Sequence, residues 1–491
     1  MTLELQPLPS EPTRTPLATA PESQSPKSRF AESRLPAVAV EALAADVRGT
    51  VLRPADPDFA LAAGVWNVAA AASPALIVRV ADAGDIAHAI AFAREHRLEI
   101  AIRGGGHSVA GHSSGEGVLV MDTRGLRSID IDPAGRVARV GAGLTAGEVT
   151  AATAAYGLAA PFGDTASVGV AGITLGGGIG YLARKHGLTV DSLRSAELVS
   201  ADGRVVTASP GQNPDLFWAI RGGGGNFGVV TSLEFDLHPV DRAYGGALLL
   251  PATWNVLRGL APIAGAAPEA LTLIANLMPA PPAPFVPAER VGTPVVAILG
   301  VFLGDEAAGA EAFAPLRALA TPIADTVGVL PYAAIYDYTA AASIPHPSAT
   351  RTIFLEGIDD DIIGILLSGF GRSTAAQTIV QLRVLGGAMG RVPAGATAFA
   401  HRQASVMVTV MGSTQAAEAL PPTAAWASGL LDELRPYGIG AYANFLEDEG
   451  EARIREAYPA RTYRRLAAVK AAWDPGNVFH RNQNIRPAPR A

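Results

Sequence analysis

Three glycine clusters occur in order along the middle of this chain: Arg103-Gly104-Gly105-Gly106-His107, the block from Gly169 to Gly180, and Arg221-Gly-Gly-Gly-Gly-Asn226-Phe227-Gly228. Backbone approaches a ligand closely only where Cβ is missing, and the freed N–H groups then cradle phosphate. One such cluster is ordinarily a tight turn. Three in succession point to a long ligand carrying a diphosphate. The run Gly176-Gly177-Gly178-Ile179-Gly180 can be forced into a nicotinamide-dinucleotide fingerprint. That fingerprint needs a strand, glycines, a helix and an acidic residue about 20 residues on. Here the glycines sit deep in the chain and Asp191 comes too soon.

The segments around the clusters are regular. Residues 75–80 read as a strand, Asp82 as a helix N-cap, residues 85–96 as a helix and residues 100–102 as a second strand, a βαβ-like start. Short strands follow at residues 118–121, 128–131 and 137–140, then a helix over 146–156. Asp202-Gly203 between two apolar runs signals a hairpin, and a further strand opens at Phe227. The proline run at 279–284 marks a loop, and residues 430–435 end a helix. Residues 451–473 read as one helix, stopped by Asp474-Pro475-Gly476.

At 491 residues the chain holds two or three cores. With 49% hydrophobic and 17% charged residues and a net charge of -7, it carries no electrostatic footprint for nucleic acid or an anionic membrane. No apolar run approaches the roughly 18–20 residues that span a bilayer. There is no cysteine, so disulfides, thiolate nucleophiles and cysteine metal sites are excluded. No His/Asp/Glu spacing resembles a metal site. Residues 1–40, rich in Pro, Ser, Thr and Glu, are expected to form a disordered tail. No signal peptide is evident there, so a cytoplasmic location is expected.

Arg103-Gly-Gly-Gly-His107-Ser108-Val-Ala-Gly111 resembles the flavin attachment motif of the berberine bridge enzyme-like oxidoreductases, members of the vanillyl-alcohol oxidase fold group with a PCMH-type FAD domain. The family's other motifs follow in order: residues 168–181, residues 213–228, Tyr442-Ala443-Asn444-Phe445, and the closing signature at 473–485. The resemblance covers residues 50–485.

It implies that His107 bonds covalently to the flavin 8-methyl group, a reaction that needs a neutral imidazole; the bland alternative is a histidine capping a glycine turn. Many members have a second link through cysteine. Thr165 stands at that position here, so the chain resembles the singly linked bacterial members. Val168 falls at the family's oxygen gatekeeper, where valine accompanies oxidases, although a valine packs a core equally well. Arg103, Gly104, Gly105, Gly106, Ser108, Gly169, Gly172, Gly176, Gly177, Gly180, Gly228 and Val229 are the further cofactor-binding candidates. Asn482, Gln483 and Asn484 either supply amides near the isoalloxazine or cap the domain. Tyr442 matches the family's general base and Asn444 its neighbour; on a strand the two would face the same way. As a base at neutral pH, Tyr442 needs its pKa depressed, for instance by a nearby cation. Asp164, His401 and Arg402 are further candidates, with ion-pairing as the alternative role. His112 reads as an ordinary loop histidine.

The expected fold is α+β. A PCMH-type two-subdomain FAD-binding domain should occupy residues 45–240. A substrate domain with an antiparallel sheet backed by helices should follow at 241–439, and a segment at 440–485 should return to the FAD domain. The expected function is FAD-dependent oxidation of a small organic alcohol or amine (a sugar, hydroxylated heterocycle or secondary metabolite), with molecular oxygen reduced to hydrogen peroxide. The alternative is a tailoring enzyme performing oxidative cyclisation or multi-step oxidation.

Overall fold

A computed structural model describes residues 35–489. The N-terminal segment expected to be disordered lies, up to residue 34, outside the described residues. Its last four residues, 37–40, are instead helical. They belong to the helix Ala37–Asp46, which buries Val40 and Leu43 against the first core. Burial of those two side chains overrides the polar composition upstream.

Three large sheets build the described residues, with a two-stranded pair of Leu158–Ala159 and His238–Pro239 beside them. In the first, strands Leu76–Arg79 and Ile100–Arg103 both pair in parallel with Leu119–Asp122, and Thr50–Leu52 adds an antiparallel edge. The helix Ala83–Glu95 makes the crossover that parallel pairing requires, capped by the Asp82 side chain on Asp85 N–H. The second sheet is antiparallel, in the order Ile129–Asp132, Val137–Gly141, Val229–Asp236, Leu193–Val199, Val205–Ala208. Its Asp202-Gly203 hairpin forms as the sequence indicates, with Gly203 at φ 83°. One apolar core runs through both sheets and takes in Leu466, Phe479 and Ile485 from the chain's end.

The third sheet has nine strands, all antiparallel, assembled from residues 242–440. The helices Trp254–Ala266, Asp360–Gly371 and Leu420–Leu434 cover one face and bury Leu277, Val380, Leu382 and Val408. The loop predicted at the proline run follows the strand Leu271–Pro279. The fold is thus α+β of the expected kind.

Two further sequence readings need correction. Residues 451–473 form two helices, Glu451–Ala457 and Ala460–Trp473, because Pro459 fixes φ and removes an N–H at the junction. Tyr442 and Asn444 are not on a strand. The edge strand ends at Gly440, and Tyr442 caps a 3-10 turn over Ala443–Phe445.

The open face of the nine-stranded sheet turns toward the glycine clusters, and buried ion pairs fix the junction. Arg402, with no exposed surface, grips both oxygens of Asp191 at 2.7 and 2.8 Å. Arg383 meets Asp164 at 2.7 Å. Removing one partner of a buried pair strands the other, at about 3–5 kcal/mol. Arg402→Met is expected to lower unfolding stability by about 3 kcal/mol, the low end of that range, since Asp191 keeps the Leu188 N–H. Urea denaturation measures this. A loss of less than ~1 kcal/mol would mean that Arg402 does not hold the junction.

Candidate active site

The glycine loop after the strand Ile100–Arg103 runs into backbone. A Cβ on Gly105 would lie well inside van der Waals contact distance of Gly169 N, and one on Gly169 would lie 2.5 Å from Gly105 N. Only glycine permits this approach, and it brings the first two glycine clusters together. Gly169 and Gly176 bracket the short helix Val170–Leu175, with Gly172 inside it facing open space. Gly177 packs on the Phe399 ring, Gly180 on the backbone of Phe162, and Gly228 on Val199, just before the buried Val229.

His107 lies in the glycine loop, stacked on Trp66 with ring centroids 5.6 Å apart. Its Nε2 is 2.9 Å from Ser167 Oγ, which donates to Ser343 Oγ at 2.8 Å. Burial pushes the imidazole down to about 4, so it is neutral at physiological pH. Thr165 and Val168 close the turn before Gly169, with Val168 N–H directed at Thr165 O and Ala146 N–H at Val168 O. Trp66, Ser167 and Ser343 are absent from the sequence-based set. Ser167 stands one residue before the recognised glycine block, and a hydroxyl in that place is its only local signal.

Several buried polar atoms around the loop have no partner: Arg103 Nε and Nη1, His112 Nε2, and the hydroxyls of Ser113 and Ser114. Asn482 Oδ1 and Asn484 Oδ1 are likewise unpartnered. The two groups are neighbours, because Arg481 donates to Ser114 O at 2.7 Å and Asn482 to Gly225 O at 3.2 Å. Gln483 instead bonds Leu446 O. Ser108 Oγ accepts from His112 N–H at 3.1 Å, so His112 is part of this loop. Buried polar groups are normally satisfied. A bare-backbone cradle with a guanidinium, hydroxyls and amide oxygens to spare fits a dinucleotide with a diphosphate. Arg103 is the cation of that set; Gly104 and Gly106 flank Gly105 in the loop.

At the other end of the helix Val170–Leu175, Asn444 lies against Gly176 and donates to Ile173 O at 3.2 Å and to Tyr442 OH at 3.0 Å. Gly178 N–H also donates to Tyr442 OH, at 3.0 Å. The turn therefore makes the two side chains converge where a strand would have set them parallel. Burial raises the Tyr442 pKa, while those donors and Arg383 pull it back in part. The nearby cation exists, but desolvation outweighs it, and the phenol is protonated at neutral pH.

Facing this point is a polar row across the sheet. Asn276 pairs in register with Gln381, Gln381 with Thr409, and Thr409 with Thr352. Gln381 donates to Asn276 Oδ1 at 3.0 Å, and Arg383 bonds Gln381 at 2.8 Å, Asp164 at 2.7 Å and Ile179 O at 2.7 Å. The hydroxyls of Thr409 and Thr352 are buried and unpartnered. Asp164 therefore belongs to this row. His401 does not: it bonds Glu456 O at 2.8 Å, and with Arg402 it serves the junction.

Burial holds His107, His112, His186 and His401 at about 4. In the unfolded chain a histidine titrates near 6.5. Between those values the unfolded state binds protons that the folded state refuses, so stability falls as pH drops from about 6.5 to 4. The urea midpoint should accordingly fall between pH 7 and pH 5. In His401→Gln the slope should be shallower by up to about 1.4 kcal/mol per pH unit, and an unchanged slope would show that His401 titrates normally.

A family model described as "FAD binding domain" matches residues 74–209, and one described as "Berberine and berberine like" matches residues 441–486. The chain is 32% identical over 464 residues to (R)-6-hydroxynicotine oxidase of Paenarthrobacter nicotinovorans, covering 90% of this chain and 97% of that one. The solved structure of 6-hydroxy-D-nicotine oxidase from Arthrobacter nicotinovorans superposes with a TM-score of 0.80 at 28% identity, covering 90% and 98% of the two chains. Glucooligosaccharide oxidase from Acremonium strictum, described with a 6-S-cysteinyl, 8α-N1-histidyl FAD, shares the fold with a TM-score of 0.82 at 21% identity, over 92% and 100%.

Proposed function

The chain belongs to the berberine bridge enzyme-like FAD-linked oxidoreductases, and we propose that it is an oxidase of a small organic alcohol or amine that holds its FAD covalently through His107. The observation that carries this reading is the placement of Tyr442. Its oxygen sits where the second glycine block meets the polar row of the nine-stranded sheet, with Gly178 N–H and Asn444 already aimed at it.

FAD, when bound, accepts a hydride from carbon and passes the electron pair to molecular oxygen. The protein's part is to bind, orient and move a proton. A hydride leaves carbon only as the attached O–H or N–H loses its proton, so a base must reach that heteroatom. Tyr442 is that base in its phenolate form. Two N–H donors fixed in place before reaction stabilise the negative oxygen without reorganisation. Asn276, Gln381, Arg383 and the free hydroxyls of Thr352 and Thr409 would hold the polar groups of the substrate. Small hydroxylated heterocycles and sugars both match such a row, and relatives named for each share this fold. Val168 is compact, which suits oxygen access and hydrogen peroxide as the second product.

Covalent attachment is supported by a neutral, buried imidazole beside the cradle. Acid-denatured wild-type protein should stay yellow and fluoresce, while His107→Ala should release its flavin into the supernatant. A colourless wild-type pellet from yellow native protein refutes the link.

For Tyr442, substrates are screened anaerobically for flavin bleaching, and peroxide is measured on readmitting air. Since burial raises its pKa, the phenolate fraction grows with pH, and bleaching should quicken as pH rises from 7 toward 10. Tyr442→Phe should slow bleaching by about 10²–10⁴ and abolish that pH slope. A mutant within about threefold of wild type, far below that range, makes Tyr442 a packing residue.

A further inference from the structure

Ser167 forms the only polar contact recorded for the His107 ring among the described residues, and it joins the imidazole to the nine-stranded-sheet half of the molecule. Trp66 fixes the plane of that ring by stacking, and is itself tied down from both sides. Its N–H donates to Gly106 O at 3.0 Å and its Nε1 to Ala342 O at 2.7 Å. With the plane set, the open question is which nitrogen carries the hydrogen. A serine hydroxyl has a single hydrogen. Ser167 gives its hydrogen to Ser343 Oγ at 2.8 Å. At 2.9 Å from His107 Nε2, Ser167 Oγ is therefore an acceptor, and Nε2 must be the N–H nitrogen. The lone pair then resides on Nδ1.

Resting on the covalent reading above, we propose that Ser167, held by Ser343, is the positioning residue for flavin attachment: it selects the His107 tautomer with Nδ1 as nucleophile and carries away the Nε2 proton. In that step the Nδ1–C bond forms at the 8-methyl carbon and one C–H bond of the methyl group breaks. The electron pair released passes to the flavin ring and from there to dioxygen, giving hydrogen peroxide. Two protons leave, one from the methyl group and one from Nε2. The second passes to Ser167 Oγ as Ser167 hands its own to Ser343. Ser343 is half-buried beside the exposed Ile344, so the relay ends near solvent. Attachment thereby depends on a hydroxyl from the far half of the molecule, and a chain with the two halves undocked would hold FAD without linking it.

The test compares wild type, Ser167→Ala, Ser167→Thr and Ser343→Ala as purified full-length proteins. Each is incubated in air with added FAD. Flavin retained after acid precipitation is followed with time, and the linked nitrogen is identified on the isolated flavinyl peptide. Ser167→Ala should bind FAD, yet incorporate it covalently about 10²-fold more slowly, with Nε2 linkage appearing in what forms. Ser167→Thr, which keeps the hydroxyl, should restore rate and linkage. A role in packing alone would not separate these two from FAD binding. In Ser343→Ala the Ser167 hydrogen is free to turn to Nε2, so incorporation should slow and lose its Nδ1 selectivity. Wild-type pace through Nδ1 in Ser167→Ala overturns the proposal. If Ser167→Ala binds no FAD, the same result in Ser343→Ala overturns it. Wild type that yields all its flavin to acid brings down the covalent reading, and this proposal with it.

Discussion

The backbone contact between Gly105 and Gly169 is the constraint on which the rest of the structure depends. It joins the loop after a parallel strand to the start of a helix in the other glycine block, and no side chain can enter between them. The same approach sets the turn that precedes Gly169. Gly169 bridges to Thr145, and Ala146 N–H and Gly147 N–H bond to Val168 O and Ala166 O, anchoring the turn on the helix Ala146–Ala154. That helix is itself started by a capping box between Thr145 and Glu148. Ser167 is thus placed against His107 by a chain of backbone contacts. Widening the Gly105–Gly169 approach would move Ser167 and His107 apart even though neither residue changed.

Buried charge gives the junction its register. Arg402 with Asp191 and Arg383 with Asp164 each cross between the glycine-rich half and the nine-stranded sheet. Lys470 and Asp474, both fully buried, clamp the returning end of the chain, with Lys470 also donating to Asn226 O and Phe479 O. Such pairs add little net stability over apolar contacts, because desolvation offsets most of the attraction. Their geometry is demanding, however, since a small sliding motion would leave charges unpaired in an apolar interior. They therefore penalise misdocked arrangements more than they stabilise the correct one.

What the sequence makes legible follows from this division between local and distant contacts. The Asp82 and Asp202-Gly203 signals act over a few residues, and both elements form as read. The glycine clusters announce the cofactor because their composition alone is unusual. Pro459 and the turn at Tyr442 are local too, but a helical or strand pattern on either side masks them. The polar row is different in kind. Asn276, Gln381, Thr409 and Thr352 come from four strands, and each reads singly as one polar residue in an apolar run. Only strand register sets them side by side. The Ser167–His107 contact spans 60 residues and has no periodicity to betray it.

The helix Val170–Leu175 relates the two chemical ends of the proposed site. At its start stand Val168, Gly169 and, through Ser167, His107, the proposed attachment residue; past its end Gly176 meets Asn444 and Gly178 meets Tyr442. Six residues of helix rise about 9 Å at 1.5 Å each, a span comparable with three fused rings. Were FAD held at His107 as proposed, Tyr442 would stand beyond the opposite end of the helix from the tether. Under the proposed function, attachment and proton removal would fall at opposite ends of this helix. One short helix sets their separation, so on that proposal a substrate at Tyr442 would not disturb a link at His107. The glycines at both ends allow close packing within the chain itself, Gly169 on the backbone of Gly105 and Gly176 on the Asn444 side chain. His107 and Tyr442 are both buried and neutral, and each keeps its own partners: Ser167 for the imidazole, Gly178 N–H and Asn444 for the phenol.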